Sequence, residues 1–239
     1  MKSLVFRTCL SFVVLAGTSL GCAAQVPDDP AAEPFEVGVA QSALAIDNVA
    51  STRTAASGRT NGLTTSLLRS PTTNDYLKGF TMEERSDDPC KFSALFNDVD
   101  TNALSGNELF NECNGGSGNF KNGSMSSSFR TTGLAVCLNS SRDKMKGFAL
   151  IGRHPECILD PNGTTPTGAA CNGRGPRSDA VEERDNCPGA KNGIDSDWES
   201  IVECPAGSVV TGVEFNHIAS SGGRRMINGA KAICHPLLP

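Results

Sequence analysis

Three short polar stretches hold the side chains best suited to gripping a ligand: Asn74 with Asp75, Arg142 with Asp143, and Arg224 with Arg225. A carboxylate accepts and a guanidinium donates several hydrogen bonds at once, so such groups side by side suit the neighbouring hydroxyls of a sugar. Each stretch lies between two short runs of alternating or apolar residues, and binding residues concentrate on loops held by a rigid scaffold. The plainer reading is that Asn, Asp and Arg are ordinary residues of solvated turns.

Other chemistry has less to stand on. The chain carries no GxSxG elbow, HExxH or P-loop, and its three histidines, His154, His217 and His235, stand far apart in sequence. Glu203 and Glu214 could serve as acid and base on a glycan, but Glu214 sits between Val213 and Phe215, where a strand would turn it to solvent. The run from Asp98 to Leu109 mimics a calcium loop with Asp98, Asp100 and Asn102. It then departs, with Ala103 in place of the turn glycine and Glu108 one position early. An acidic surface loop is the expectation there, with no metal, no cofactor and no catalytic group assigned.

The elements that must position these loops read as strands. DYLKGFTM at Asp75–Met82 returns as DKMKGFAL at Asp143–Leu150 and, more faintly, as RMINGAKA at Arg225–Ala232. In each copy a glycine opens one apolar or alternating stretch, a polar loop follows, and a second glycine lies inside the next stretch. The pairs are Gly62 and Gly79, Gly133 and Gly147, and Gly212 and Gly229. Period-two alternation in segments this short predicts β-hairpins, and Asn-Gly turn signals recur along the chain. Glycine inside a strand weakens it unless a bulge or close approach requires it, so its recurrence points to a shared architectural need. The expected fold class is all-β, with three units of one core, since a unit this small cannot bury its apolar face alone.

The N-terminus reads as an export signal. Lys2 and Arg7 precede the apolar run Cys9–Leu20, too short to span a bilayer. Cleavage before Cys22, leaving a lipid-modified cysteine as the sole membrane attachment, competes with cleavage after Ala24. Residues 22–57 read as a disordered tether or pro-segment, and 58–239 as one domain. Eight cysteines follow residue 22, with no CxxC among them, which in an exported chain indicates disulfides. Cys204 and Cys234 flank one hairpin unit and are the preferred pair. The net charge of −5 and the lack of a basic run argue against nucleic acid.

The run WESIVECPAGSVVTGVE, Trp198 to Glu214, followed by INGAKAIC, Ile227 to Cys234, resembles a repeat of vitelline membrane outer layer protein I. Trp198, Cys204, Pro205, Gly207, Thr211, Gly212, Asn228, Gly229 and Cys234 occupy that family's pattern, with Ile227 for its Leu. DTNALSGNELFNEC, Asp100 to Cys113, is similar to the run that closes such repeats. The resemblance implies a β-prism of three Greek-key units with pseudo-threefold symmetry, shared with jacalin-like lectins. It also implies carbohydrate binding through loops at one end of the prism. The sugar loop of those lectins, Gly-x-x-x-Asp, has a match in GIDSD, Gly193 to Asp197, with Asp195 and Asp197 as its acidic residues. The chain has one Trp and one Tyr to lay against a sugar face. Trp198 is expected in the core, and Tyr76 either beside the first loop or packed on Phe80. The resulting expectation is a secreted or cell-surface module that binds a glycan or matrix polysaccharide. The alternatives are a structural coat protein without a small ligand, and an enzyme acting on polysaccharide.

Overall fold

The computed structural model describes residues 43–60, 64–85, 88–111, 120–139, 141–173, 175–181, 198–219 and 225–239. They belong to one compact unit, Gln41–Pro239. Fourteen strands and one short helix are described. The first sheet contains β1 (Ala45–Ile46), β2 (Thr52–Arg53), β3 (Ser57–Gly58), β4 (Thr64–Arg69), β13 (Ser208–Ala219) and β14 (Arg225–Leu238). The second contains β9 (Arg130–Leu138), β10 (Met145–Arg153), β11 (Arg177–Val181) and β12 (Val202–Glu203); the third, β5 (Asp75–Arg85), β6 (Asp88–Asp98), β7 (Leu104–Asn111) and β8 (Phe120–Ser124). Helix α1 (Pro155–Leu159) follows β10.

All strand pairs are antiparallel, and the spatial order is the same in each sheet. The third runs β8-β5-β6-β7 and the second β12-β9-β10-β11, which is the 4-1-2-3 order of a Greek key. The first runs β4-β13-β14, with β1, β2 and β3 along the far edge of β14. That is again 4-1-2-3 when the chain is read through its two ends. Three Greek-key sheets around one core make a β-prism. Phe80 and Phe92 from the third sheet, Phe148 from the second and Phe215 from the first meet in that core, with centroids 4.7 Å apart for Phe80–Phe148 and 5.0 Å for Phe92–Phe215. Each such ring taken from water contributes about 1.5–3 kcal/mol.

The first sheet corrects two expectations. The domain begins well before residue 58: β1 and β2 lie within the supposed tether and β3 straddles its end, yet all three pair with the outer edge of β14, and Ile46 and Ser57 are buried. Their brevity hid them, since two-residue strands show no periodicity. The first hairpin is also not β4 with β5. β4 pairs with β13, whereas β5 pairs with β6.

Hairpins β5–β6, β9–β10 and β13–β14 slip register at matching places. On the first strand the residue skipped is Lys78, Thr132 or Thr211; each stands just before a glycine, Gly79, Gly133 or Gly212. Five paired residues later the second strand skips Cys90, Lys146 or Asn228. The true counterpart of Lys78-Gly79 is therefore Thr132-Gly133 and Thr211-Gly212, while Lys146-Gly147 matches Asn228-Gly229. The two Lys-Gly-Phe phrases of the sequence fall at different places in their hairpins.

Trp198 is buried against Ala135, Cys137 and Ala149 on the outside of the second sheet. This explains why every residue of β9 is buried. Disulfides join Cys204 to Cys234 and Cys157 to Cys171, and Cys90 and Cys137 are disulfide-bonded as well.

Candidate functional site

Each sheet passes the chain from its fourth strand to the first strand of another. The connections are 70–74 from β4 to β5, 125–129 from β8 to β9, and 204–207 from β12 to β13. At each one the first backbone N–H donates to the carbonyl of the skipped residue: Ser70 to Thr211 (3.0 Å), Met125 to Lys78 (2.9 Å) and Cys204 to Thr132 (2.8 Å). The prism thus has three matched corners near one end. Their side chains decide what each corner can bind.

The corner at Thr132 is a cleft of about 220 Å³. Its charges are spent on each other, with Arg153 Nη2 donating to Glu203 Oε2 at 3.2 Å, and the Cys204–Cys234 disulfide pins its connection. The corner at Thr211 is a cleft of about 330 Å³ lined by Arg53, Arg69, Ser70, Asp75, Thr211 and His235. Arg69 ends β4, and among the described residues none accepts a hydrogen bond from its exposed guanidinium. Asp75 opens β5 opposite Asp98 and is almost wholly buried as a residue, with Oδ2 2.9 Å from the Ser70 hydroxyl. That hydroxyl is also 2.6 Å from the Thr72 carbonyl, and its one proton serves either acceptor. Arg53 donates from Nε to Glu214 Oε2 at 2.9 Å.

His235 reaches the cleft from β14. Its Nδ1 is 2.6 Å from the Thr211 hydroxyl, leaving Nε2 without a protein partner. Burial pushes the imidazole below its ordinary pKa, the Arg69 guanidinium adds to this, and Asp47 acts weakly against it. A neutral ring both donates and accepts. The cleft therefore presents a guanidinium, a carboxylate, a neutral imidazole and hydroxyls, which is a set for binding hydroxyl groups rather than for moving protons between an acid and a base.

Of the residues singled out in sequence, Asp75 is the one in this cleft. Asn74 is structural: Oδ1 accepts from the Ile46 N–H (3.0 Å) and Nδ2 donates to Asp98 Oδ2 (3.0 Å). Arg142 and Asp143 lie in the β9–β10 turn and Arg225 at the start of β14, at the opposite ends of their strands from the place Asn74 and Asp75 occupy on β5. The expected threefold matching of these pairs fails because the first hairpin is β5–β6, whose last pair is Arg85 with Asp88, at the far end of β5 from Asn74 and Asp75. Arg142 is paired with Glu199 at 2.5 Å. Asn139 and Ser141 hydrogen-bond the Asp143 carboxylate and hold it below the usual range. Arg225 packs over Phe110, 5.7 Å from the ring centroid. Asp195, Asp197, Arg224 and Cys22 lie outside the described residues.

The Asp98 loop is a turn. Burial pushes the Asp98 carboxyl up, but hydrogen bonds from Thr101, Asn74 and Asp100 outweigh it and hold the group below the usual range. β7 rather than a helix follows, and among the described residues no cluster of His, Cys, Asp and Glu could hold a metal. Glu203 and Glu214 lie in different sheets, each paired with a cation. Tyr76 is wholly buried with Ile46, Val99, Ile158, Val209 and Leu237, in a different cluster from Phe80. Sequence reasoning missed Arg69, Thr211 and His235. Thr211 alone carried a signal, as the residue before a repeated glycine.

A wider cleft of about 530 Å³ opens beside the connection 125–129, lined by Asp100, Ser127, Ser128, Arg130, His154 and Glu156.

Among solved structures, the chain is similar to a Malaysian banana lectin, with TM-score 0.41 and 10% identity over 78% of this chain and 99% of the lectin. It is similar to the Calystegia sepium agglutinin, with TM-score 0.39 and 8% identity over 78% and 95%. It is also similar to the Vibrio cholerae biofilm matrix protein Bap1, with TM-score 0.39 and 10% identity over 82% of this chain and 27% of that protein. No family model and no curated protein matches it.

Proposed function

We propose that this chain is an exported carbohydrate-binding module and that the Thr211 corner is its sugar site. One observation supports the reading above the rest. Of the two corner clefts described, the Thr132 corner has closed on an ion pair, while the matched corner keeps Arg69 and His235 Nε2 free of protein partners beside Asp75. A sugar ring presents adjacent hydroxyls that both donate and accept, and this set supplies the complement without a metal. Among the described residues no Phe, Tyr or Trp ring lines the cleft, so affinity rests on hydrogen bonds contributing about 1 kcal/mol each and is modest for a single sugar.

A glycan array on the exported chain, followed by calorimetry with the best monosaccharide, tests the reading. Replacing Arg69 or His235 with Ala weakens binding by about fivefold to tenfold, and Asp75→Asn weakens it with the fold intact. A selective signal that none of the three variants changes overturns the site. A blank array overturns the sugar reading in favour of a structural matrix role. The disulfides support export, because such bonds persist in oxidising compartments. Mass spectrometry of the exported N-terminus separates a lipid on Cys22 from cleavage after Ala24.

A further inference from the structure

Arg130 stands two residues before its skipped Thr132, where the other two sheets place Tyr76 and Val209. Those two are wholly buried, as the end of a core demands. Arg130 is 5% exposed in the same ring of positions, so one sheet places a permanent cation where its partners place hydrocarbon. Its Nε donates to the Val99 carbonyl (2.8 Å) and Nη1 to the Ser127 carbonyl (2.9 Å), and the guanidinium lies 5.0 Å over the Tyr76 ring. Among the described residues no carboxylate is ion-paired with it.

A second cation stands near. Lys78 is 9% exposed, and its Nζ is buried without a hydrogen-bond partner. Burial holds the Lys78 amine below its ordinary pKa, and the charge of Arg130 adds to that. Two buried cations without an anion are costly, and proteins retain such charges where a partner offsets them. The Tyr76 phenol is not that partner: burial raises its pKa to about 12, so it is neutral. The 530 Å³ cleft gives an outside anion access to Arg130. Its other polar lining residues suit hydroxyls: Ser127, whose carbonyl accepts from Arg130, with Ser128, Asp100 and Glu156. Glu156 Oε2 is buried and takes no hydrogen bond.

We propose that this second cleft binds a hexuronate, an acidic sugar whose carboxylate pairs with the Arg130 guanidinium while its ring hydroxyls donate to Glu156 and Asp100. A planar guanidinium matches a carboxylate through two parallel hydrogen bonds. The two carboxylates lining the same cleft disfavour a bare polyanion, which has no hydroxyl protons to offer them. The inference rests on the reading of the chain as a sugar binder, but it concerns a different cleft.

The test is calorimetric titration of the full exported chain with D-glucuronate, its methyl ester and D-glucose. Glucuronate is expected to bind at least about tenfold more tightly than the ester, with affinity falling as salt rises. Arg130→Lys, which keeps the charge and loses the planar fork, abolishes the preference. Asp100→Asn exchanges a charged acceptor of the ring hydroxyls for a weaker one and lowers glucuronate and glucose binding together, about twofold. Should the Arg130 variant fail to fold, the comparison of acid with ester still decides. Equal binding of acid and ester, or no binding of either, overturns the inference. Neutral-sugar binding lost with Arg69→Ala would survive that result, and Arg130-dependent glucuronate binding would survive a blank neutral array.

Discussion

Gly212→Ala should destabilise the domain, and the structure says by how much relative to other glycines. A Cβ built on Gly212 would lie 2.6 Å from the Leu68 carbonyl oxygen, 3.2 Å from Ile233 Cδ1 and 3.3 Å from Arg69 Cα. Ordinary carbon–oxygen contact begins near about 3.3 Å, so β4 must retreat by roughly 0.7 Å or β13 must bend. The matched glycines meet the same obstacle: Gly133 would press on the Val202 oxygen at 2.6 Å, and Gly79 on the Gly123 oxygen at 2.8 Å. In each sheet the fourth strand therefore approaches the first so closely that only hydrogen fits. Overpacking of this kind costs about 1–3 kcal/mol. Gly207 has φ +77° in open space, so Ala there costs only the left-handed conformation, about 1 kcal/mol. Gly173 meets nothing within 4 Å, and Ala there falls within about 0.5 kcal/mol of the parent. Guanidinium denaturation with disulfides intact gives the order: Gly212→Ala and Gly133→Ala lowest, Gly79→Ala next, then Gly207→Ala, with Gly173→Ala unchanged. A Gly212→Ala midpoint equal to the parent's would refute the close-approach reasoning.

Tyr76 is the chain's one tyrosine, so absorbance at alkaline pH reads it alone. Burial, outweighing the charge of Arg130, raises its pKa to about 12, and the folded protein should ionise there. Because the unfolded phenol ionises near about 10, stability falls as pH rises through that window; a native midpoint near 10 contradicts the burial. Replacing both Cys204 and Cys234 with Ala opens a link across 30 residues and should cost about 3–4 kcal/mol, checked by the same denaturation. His235 has a folded pKa below its unfolded one, so below about pH 6.5 the unfolded state binds more protons and stability declines. Asp98 and Asp143, held below the usual range, add a further loss below about pH 4. His235→Asn should flatten the melting-temperature profile between about pH 7 and 5, and parallel profiles would count against the assignment.

The sequence by itself determined that the chain is built of β-hairpins, and that Gly79, Gly133, Gly212 and Gly229 sit where backbones approach. It also placed Trp198 in a packed position. These properties are local: period-two patterning, turn dipeptides and strand glycines act over a few residues. Only the tertiary structure decided which strands share a sheet. β4 leaves its neighbour β5 to pair with β13, far along the chain, and β1–β3 take their place against β14 through pairs too short to show a pattern. That single reassignment moved Asn74 and Asp75 away from Arg142 and Arg225 and brought Asp75 to Arg69 and His235. Corners made by three distant segments have no signature in any one of them. The cation at Arg130 reads as an ordinary strand residue until the fold shows it at the level of Tyr76 and Val209, buried with no anion at its side.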